Sequence, residues 1–234
     1  MLSLNGNVYD DFRNLATRES DNQTETFGYD FLDRLTSVSG AYSISYTYNE
    51  IGNILSKGCT SYSYDTTQPH AVDTVDSTSY QYDNNGNMEY RSSDNRTIEW
   101  DAENRPVSIL EDGDEIASFI YDGDGNRVWK SEGGEEVLYI NKYYEKELNS
   151  GNETVSYYLG SRLIAQREED VLRYVHQDHL TGTSMMSDSE GVLISSIKYL
   201  PFGDTLSGSV PTDKLFTGQR FDPNGLHYYN SRYC

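Results

Sequence analysis

Long apolar runs are missing from this 234-residue chain, and nothing in it approaches the roughly 20 consecutive apolar residues of a membrane-spanning helix. The opening residues MLSLNGNVYD offer neither the basic start nor the apolar core of a signal peptide. No membrane insertion is expected, and the chain as given carries no export address. Cysteine is nearly absent: Cys59 and Cys234 are too few for a disulfide framework, and the sequence leaves open whether they pair or remain two thiols. Basic residues are scarce, with 18 Lys and Arg against 38 Asp and Glu and a formal charge of -20. Such a field repels nucleic acid and anionic membrane, so no nucleic-acid partner is expected. Helical periodicity is missing as well. The best candidates, such as YYEKELNSGNETV from Tyr143, are broken by Ser-Gly or carry apolar residues at period two.

Aromatic residues are abundant. Hydrophobic residues make up only 35% of the chain, yet 21 tyrosines lift the aromatic share to 13%, which argues against disorder and for packing by large rings with a polar rim. These rings recur in a pattern: FGYDFLDRLTSV from Phe27, YTYNEIGNILSK from Tyr46, YQYDNNGNMEYR from Tyr80, IEWDAENRPVSI from Ile98 and FIYDGDGNRVWK from Phe119, with a weaker YSYD at Tyr62. The anchors Tyr29, Tyr48, Tyr64, Tyr82, Trp100 and Tyr121 stand 19, 16, 18, 18 and 21 residues apart. That period suits a two-stranded hairpin.

Each unit places alternating strand residues before the aromatic, an Asp/Asn/Gly-rich turn after it, and a second strand beyond. Gly supplies positive φ and Asn or Asp bonds to nearby backbone, which assigns turn roles to Gly52, Asn53, Gly86, Asn87, Gly125 and Asn126. YDGDGNRVWK also invites a calcium reading, but a loop counted from Asp122 puts Arg127 where a glycine is needed and Gly133 where a bidentate Glu is needed. No metal is expected. From Leu138 onward the spacing relaxes while the strand grammar continues, giving hairpin repeats over 1–137, weak over 1–25, and a further region over 138–234 continuous with them. Lone hairpins bury no core, so successive ones must pair edge to edge. The expected fold is all-β: one extended antiparallel sheet, curled into a spiral because long flat sheets are unusual.

The units YNEIGNILSK, YDNNGNMEYR, WDAENRPVSI and YDGDGNRVWK resemble YD repeats. YVHQDHLTGTSMMSDSEGVLISSIKYLPFGD followed by FTGQRFDPNGLHYYNSRYC resembles the core signature of bacterial Rhs and YD-repeat proteins. The resemblance implies part of a hollow shell, as in Rhs and toxin-complex proteins, which encloses a C-terminal toxin. The core-motif residues it carries over are His176, Asp178, His179, Pro201, Gly203, Gly218, Arg220, Asp222, Gly225, Tyr228 and Arg232. It further implies a secreted or cell-surface setting, with the remaining shell polypeptide or a toxin cargo as partner. Three departures stand out. The chain stops at Tyr233-Cys234, ahead of the family's self-cleavage motif and toxin; it starts almost directly in the repeats; and HLTGTS stands where relatives read HLGST. Sheet edges left open in this way are expected to self-associate.

Catalytic constellations are thin, and neither an enzyme nor a cofactor is expected. His176 and His179 fall on opposite faces of a strand, and no spaced third ligand supports a zinc site. The family's self-cleaving aspartates are expected beyond Tyr233, so Asp222-Pro223 reads as a type I turn with Pro at its second position. No G-x-S-x-G elbow or G-x-G-x-x-G turn opening a helix occurs. The reading is therefore a structural, non-catalytic shell segment. The alternative is a cell-surface or carbohydrate-binding adhesion module in which Trp100 and Trp129 stack on glycan rings.

Overall fold

The computed structural model describes residues 6–20, 23–65 and 67–229. They fall into two compact units, Met1–Ser93 and Asp94–Cys234. The first holds β1 (Asn7–Tyr9), β2 (Leu15–Ser20), β3 (Gln23–Tyr29), β4 (Leu35–Ser39), β5 (Ile44–Tyr48), β6 (Ile54–Lys57), β7 (Thr60–Tyr64), β8 (Val72–Val75), β9 (Thr78–Tyr82) and β10 (Met88–Arg91). The second holds β11 (Arg96–Trp100), β12 (Pro106–Glu111), β13 (Asp114–Tyr121), β14 (Arg127–Glu132), β15 (Glu135–Asn141), β16 (Tyr144–Glu147), β17 (Glu153–Leu159) and β18 (Arg162–Glu168). It continues with β19 (Val171–Gln177), β20 (Thr183–Ser187), β21 (Leu193–Tyr199), β22 (Thr205–Gly208) and a small hairpin of β23 (Arg220–Phe221) and β24 (His227–Tyr228). Among the described residues the helical element is a single 3-10 turn, Phe216–Gly218. Position 138 lies inside β15.

The 22 strands of the main sheet are antiparallel. This overturns one expectation: the sheet is extended and open, neither closed nor strongly curled into a spiral. Within each unit the registers join strands that follow one another in the chain, as in β2 to β3, β13 to β14 and β17 to β18. Twist between adjacent strands is a local property. A nearest-neighbour ladder by itself therefore prescribes no spiral.

One turn recurs along this ladder. The Asp83 N–H donates to Asn87 O at 2.9 Å and the Gly86 N–H to Asp83 O at 3.1 Å, which closes a three-residue loop made of a type I turn and a left-handed residue. The Asp83 carboxylate accepts the N–H groups of Asn85 and Asn87, both at 2.8 Å. Asp30, Asn49, Asp101 and Asp122 accept from the second and fourth residues after themselves in the same way. The fourth loop position needs positive φ, which Gly52, Gly86 and Gly125 adopt at 91°, 87° and 84°. The Asp122 oxygens are thus engaged by their own turn, and N–H donation from Asn126 holds this carboxyl below the usual aspartate range.

A second device links each hairpin to the one before. The Tyr29 hydroxyl donates to Leu15 O at 3.0 Å, Tyr48 to Leu35 O at 2.7 Å, Tyr64 to Ile54 O at 2.8 Å, and Tyr121 to Pro106 O at 2.8 Å. In every case the acceptor is the first residue of the preceding hairpin's outgoing strand. Trp100 ends β11 at the corresponding place. Arginines reinforce the link: Arg34 binds Asp30 at 2.7 Å, donates to Asn49 O at 3.1 Å and lies over the Tyr48 ring at 4.8 Å. Arg105 repeats this with Asp101, Asp122 O and Tyr121. Beneath these ties sit small apolar clusters, such as buried Phe27, Val38 and Tyr46 flanked by Leu15, Leu35 and Ile44.

The turn makes a sharp prediction. Asp83→Asn keeps an acceptor oxygen, as native Asn49 does, and leaves stability within experimental error. Asp83→Ala removes the acceptor and lowers the unfolding free energy by about 1 kcal/mol. Urea denaturation of the two variants checks this, and equal losses would show that the charge rather than the acceptor matters.

Candidate functional site: a buried ionic seam beneath the C-terminal strap

After β22 the chain leaves the ladder, and residues 213–229 lie as a strap across strands of the second unit. Thr183 of β20 donates through Oγ1 to Lys214 O at 2.6 Å and through its N–H to Leu215 O at 3.2 Å. Further along, Lys214 Nζ reaches Glu145 of β16 at 3.3 Å and Ser156 of β17 at 3.4 Å. Arg220 pairs with Asp213 and with Glu145, the latter at 2.6 Å, and its guanidinium lies 4.5 Å over the Tyr139 ring of β15. The far end is held by Arg96 of β11, which donates to Asn224 O at 2.7 Å while pairing with Glu111.

At the centre are Arg127 and Asp222, whose side chains are each 1% exposed. Arg127 grips both Asp222 oxygens, donates to the Tyr139 hydroxyl at 3.2 Å and is boxed by the rings of Phe119, Tyr139 and Tyr228 at 5.5, 4.9 and 4.4 Å. Lys130 Nζ bridges Asp222 and Glu132, at 2.9 Å to each. Glu132 in turn accepts the Asn224 N–H at 2.5 Å. Strand alternation puts Lys130 and Glu132 on one face, and their partners across β13 are Phe119 and Ala117, apolar walls that keep the seam dry. Buried charges persist only when paired and hydrogen-bonded, and here each carboxylate meets more than one donor.

The core-motif residues thereby acquire locations. Asp222 and Gly225, φ 84°, open and close the DPNG turn, while the Asp222 carboxylate points into the seam and Asn224 caps the Leu226 N–H at 3.0 Å. The Tyr228 hydroxyl accepts the Arg127 N–H at 2.9 Å. Pro201 occupies the second position of the Leu200–Asp204 turn, and Gly203, φ 100°, abuts Phe216 so closely that an added Cβ would sit 2.7 Å from its ring. Gly218, φ 73°, lies against Thr181 O. His176 bonds to Ser187 Oγ at 2.9 Å, Asp178 caps its own turn through Leu180 and Gly182, and His179 is exposed within that turn. The three do not converge. Trp100 and Trp129 are half-buried on β11 and β14. Cys59 is a free, exposed thiol. Arg232 and Cys234 lie outside the described residues.

Sequence reasoning missed Arg96, Arg127, Lys130, Glu132, Glu145 and Lys214, all of them buried or half-buried. It also missed Tyr199, whose hydroxyl reaches Thr183 O at 2.8 Å in the manner of the repeat anchors, although Leu200 follows it instead of Asp. The available signal was a scarce cation placed inside a strand of an acidic chain. Chemically the seam's carboxylates are each engaged by donors, while the Asn224 side-chain nitrogen is buried without a hydrogen bond. Among the described residues no group of three or more His, Cys, Asp or Glu side chains forms a metal-ligand cluster.

Fold and seam together define a hairpin-repeat β-wall locked by its own C-terminal segment. The Teneurin YD-shell family profile matches residues 5–224, and the chain belongs to that family. Among curated proteins it resembles the tRNA nuclease WapA of Bacillus subtilis (strain 168), 29% identical over 176 residues, and the tRNA3(Ser)-specific nuclease WapA of Bacillus spizizenii, 27% over 175 residues. Each match covers 68% of this chain, which spans 7% of those relatives' length. Among solved structures, TcdB2-TccC3 without its hypervariable C-terminal region matches 98% of this chain and 16% of its own at a TM-score of 0.62. At 15% identity that likeness is one of fold. No helix among the described residues is long and apolar enough to cross a membrane.

Two predictions follow from the seam. Asp222→Asn removes the carboxylate that Arg127 grips and leaves Lys130 with Glu132 alone, a loss of about 3–5 kcal/mol for a broken buried pair. Hydrogen exchange should show lost protection over residues 213–229, and unchanged protection there would mean that the pair does not hold the strap. The second concerns acid. Burial opposes the charge of Asp213, yet Arg220 and Lys214 beside it hold its carboxyl well below the usual range. A depressed folded pKa stabilises above the unfolded value near ~4 and is lost as pH falls below it. The strap should stay protected at mildly acidic pH and open only under stronger acid. Release of the strap near neutrality would contradict this.

Proposed function

We propose that this chain is a non-catalytic wall segment of a shell like those of Rhs and toxin-complex proteins, which enclose a toxin. The observation that carries the reading is the use of its polar groups: turn carboxylates shape each hairpin, the anchor hydroxyls of Tyr29, Tyr48, Tyr64 and Tyr121 join one hairpin to the one before, and the seam fixes the strap. A wall must be continuous and self-locking, and it needs no turnover. On this reading the natural partners are further wall polypeptide and a toxin cargo, in a secreted or cell-surface setting. Sheet edges without such a neighbour would pair with a second copy. The hairpins build the ladder, which runs on through β22, and the strap supplies the lock together with the cations of β11 and β14.

Cross-linking in the source cells, followed by purification through this chain, tests the proposal. The wall reading expects a co-purifying polypeptide that resists protease while the strap is docked and becomes digestible in Asp222→Asn. A chain recovered alone that binds glycans saturably, with binding lost in Trp100→Ala or Trp129→Ala, would replace it with the adhesion reading.

A further inference from the structure

The turns joining β1 to β2, β3 to β4 and β5 to β6 follow one another along one edge of the first unit. Each begins with an acceptor side chain, Asp10, Asp30 or Asn49, whose oxygen takes the N–H of the third turn residue at 2.9, 2.9 and 3.1 Å. Those third residues are Phe12, Leu32 and Ile51. The shared bond fixes one backbone geometry in all three, so their side chains leave the edge in the same way. Further bonds tie tip to tip: the Asn14 amide donates to Asp33 Oδ1 at 2.8 Å, and Arg34 to Asn49 O at 3.1 Å.

Nothing in the turn itself asks for apolar residues there. The turns that follow hold Thr67, Asn85, Glu103 and Asp124 at the same position with the same N–H donation. Leu180 takes it again in the second unit, where the next such turn carries Glu190. Yet Phe12 is 79% exposed, Leu32 58% and Ile51 54%, and Phe31 beside Leu32 is 92% exposed. Single exposed apolar residues need no explanation. Three at one turn position in consecutive hairpins form a row, and exposed apolar rows with a polar rim mark interaction sites.

Spacing and charge define what fits. Neighbouring strands lie about 4.8 Å apart, so tips two strands apart are separated by about 10 Å and the row spans about 20 Å. An extended partner strand covers about 10 Å in three residues, and that third residue faces away. An α-helix covers about 10.5 Å in seven residues and returns to the same face. The three turns carry Asp10, Asp11, Asp30, Asp33 and Glu50 against Arg13 and Arg34, and Arg34 is paired with Asp30. A second copy of this chain would meet the row with the same acids, and an anionic membrane is repelled likewise. We propose that the row of Phe12, Leu32 and Ile51 docks a basic amphipathic helix of a partner polypeptide, its apolar stripe on the tips and its Lys or Arg side chains against Asp11, Asp33 and Glu50. The inference stands on these turns alone and holds whether or not the chain encloses a toxin.

Titration calorimetry of the whole chain with a helical leucine-lysine peptide of about 18 residues, its leucines in one stripe, tests this. The peptide should bind at physiological salt with a Kd of about 100 µM or tighter, and a peptide of the same composition with the stripe scrambled should bind at least tenfold more weakly. Combining Phe12→Ser, Leu32→Ser and Ile51→Ser, at a position that later turns fill with polar residues, should weaken binding at least tenfold. Asp11→Lys with Glu50→Lys should do the same, whereas Asp124→Lys with Glu190→Lys, an equal charge change at later turns, should not. Absence of binding, equal binding of the scrambled peptide, or unchanged affinity in the triple variant would each overturn the proposal. So would preference for a lysine-bearing polyproline peptide, or row-dependent sedimentation with neutral phosphatidylcholine vesicles in place of peptide binding, either of which assigns the row to a different occupant.

Discussion

The fold depends on one hydrogen bond repeated: a tyrosine hydroxyl donating to the carbonyl that begins the previous hairpin's outgoing strand. That carbonyl sits beside a bulge, where the register slips and a ladder partner is lost, as between Thr47 and Tyr48 opposite Ile54 or Glu99 and Trp100 opposite Pro106. A buried backbone acceptor without a partner is costly. The tyrosine therefore repairs, from the next repeat, a defect that the turn creates in its neighbour. Burial raises the pKa of Tyr29, Tyr48 and Tyr64, which keeps these hydroxyls protonated as donors. The spacing of aromatics along the chain is the spacing of these repairs.

The turn itself is as constrained as the bond. An acceptor side chain is needed at its first position and positive φ at its fourth, and the repeats meet the second demand with Gly52, Gly86 and Gly125 or with the tolerant residues Asp33 and Asn104. Both demands are local, so they are visible in a linear sequence. This is why the hairpins, their turns and the all-β class were legible from the pattern of aromatic, Asp and Gly. The shape of the sheet was not: the expectation of a spiral rested on the general rarity of long flat sheets and on no residue pattern in this chain.

The seam was hidden for a related reason. Arg127 and Asp222 are separated by 95 residues, and nothing near either announces the other. Asp222 looked like a turn aspartate because it does start a turn, but there the capping task passes to Asn224 and frees the carboxylate for Arg127 and Lys130. The same Asp-x-x-Gly spacing thus serves a solvent-facing turn at Asp122 and a buried counter-ion at Asp222. Sequence alone separates these roles only when the cations are noticed first, inside strands of a chain otherwise dominated by acids.

An ionic lock is an unusual choice for holding a strap to a sheet, since well-packed apolar residues would often stabilise as much without the desolvation cost. What ions add is register. An apolar strap could slide along a ridged sheet with little penalty, whereas Asp222 displaced by one residue would part from Arg127, leave Lys130 with Glu132 alone and leave Glu132 without the Asn224 N–H. Each misplacement leaves several buried polar groups unpaired at once. Repeats that differ little from one another make poor landmarks for a segment that must cross many strands at one place. Charges confined to a few strands break that degeneracy, and the strap then fits the second unit in one position.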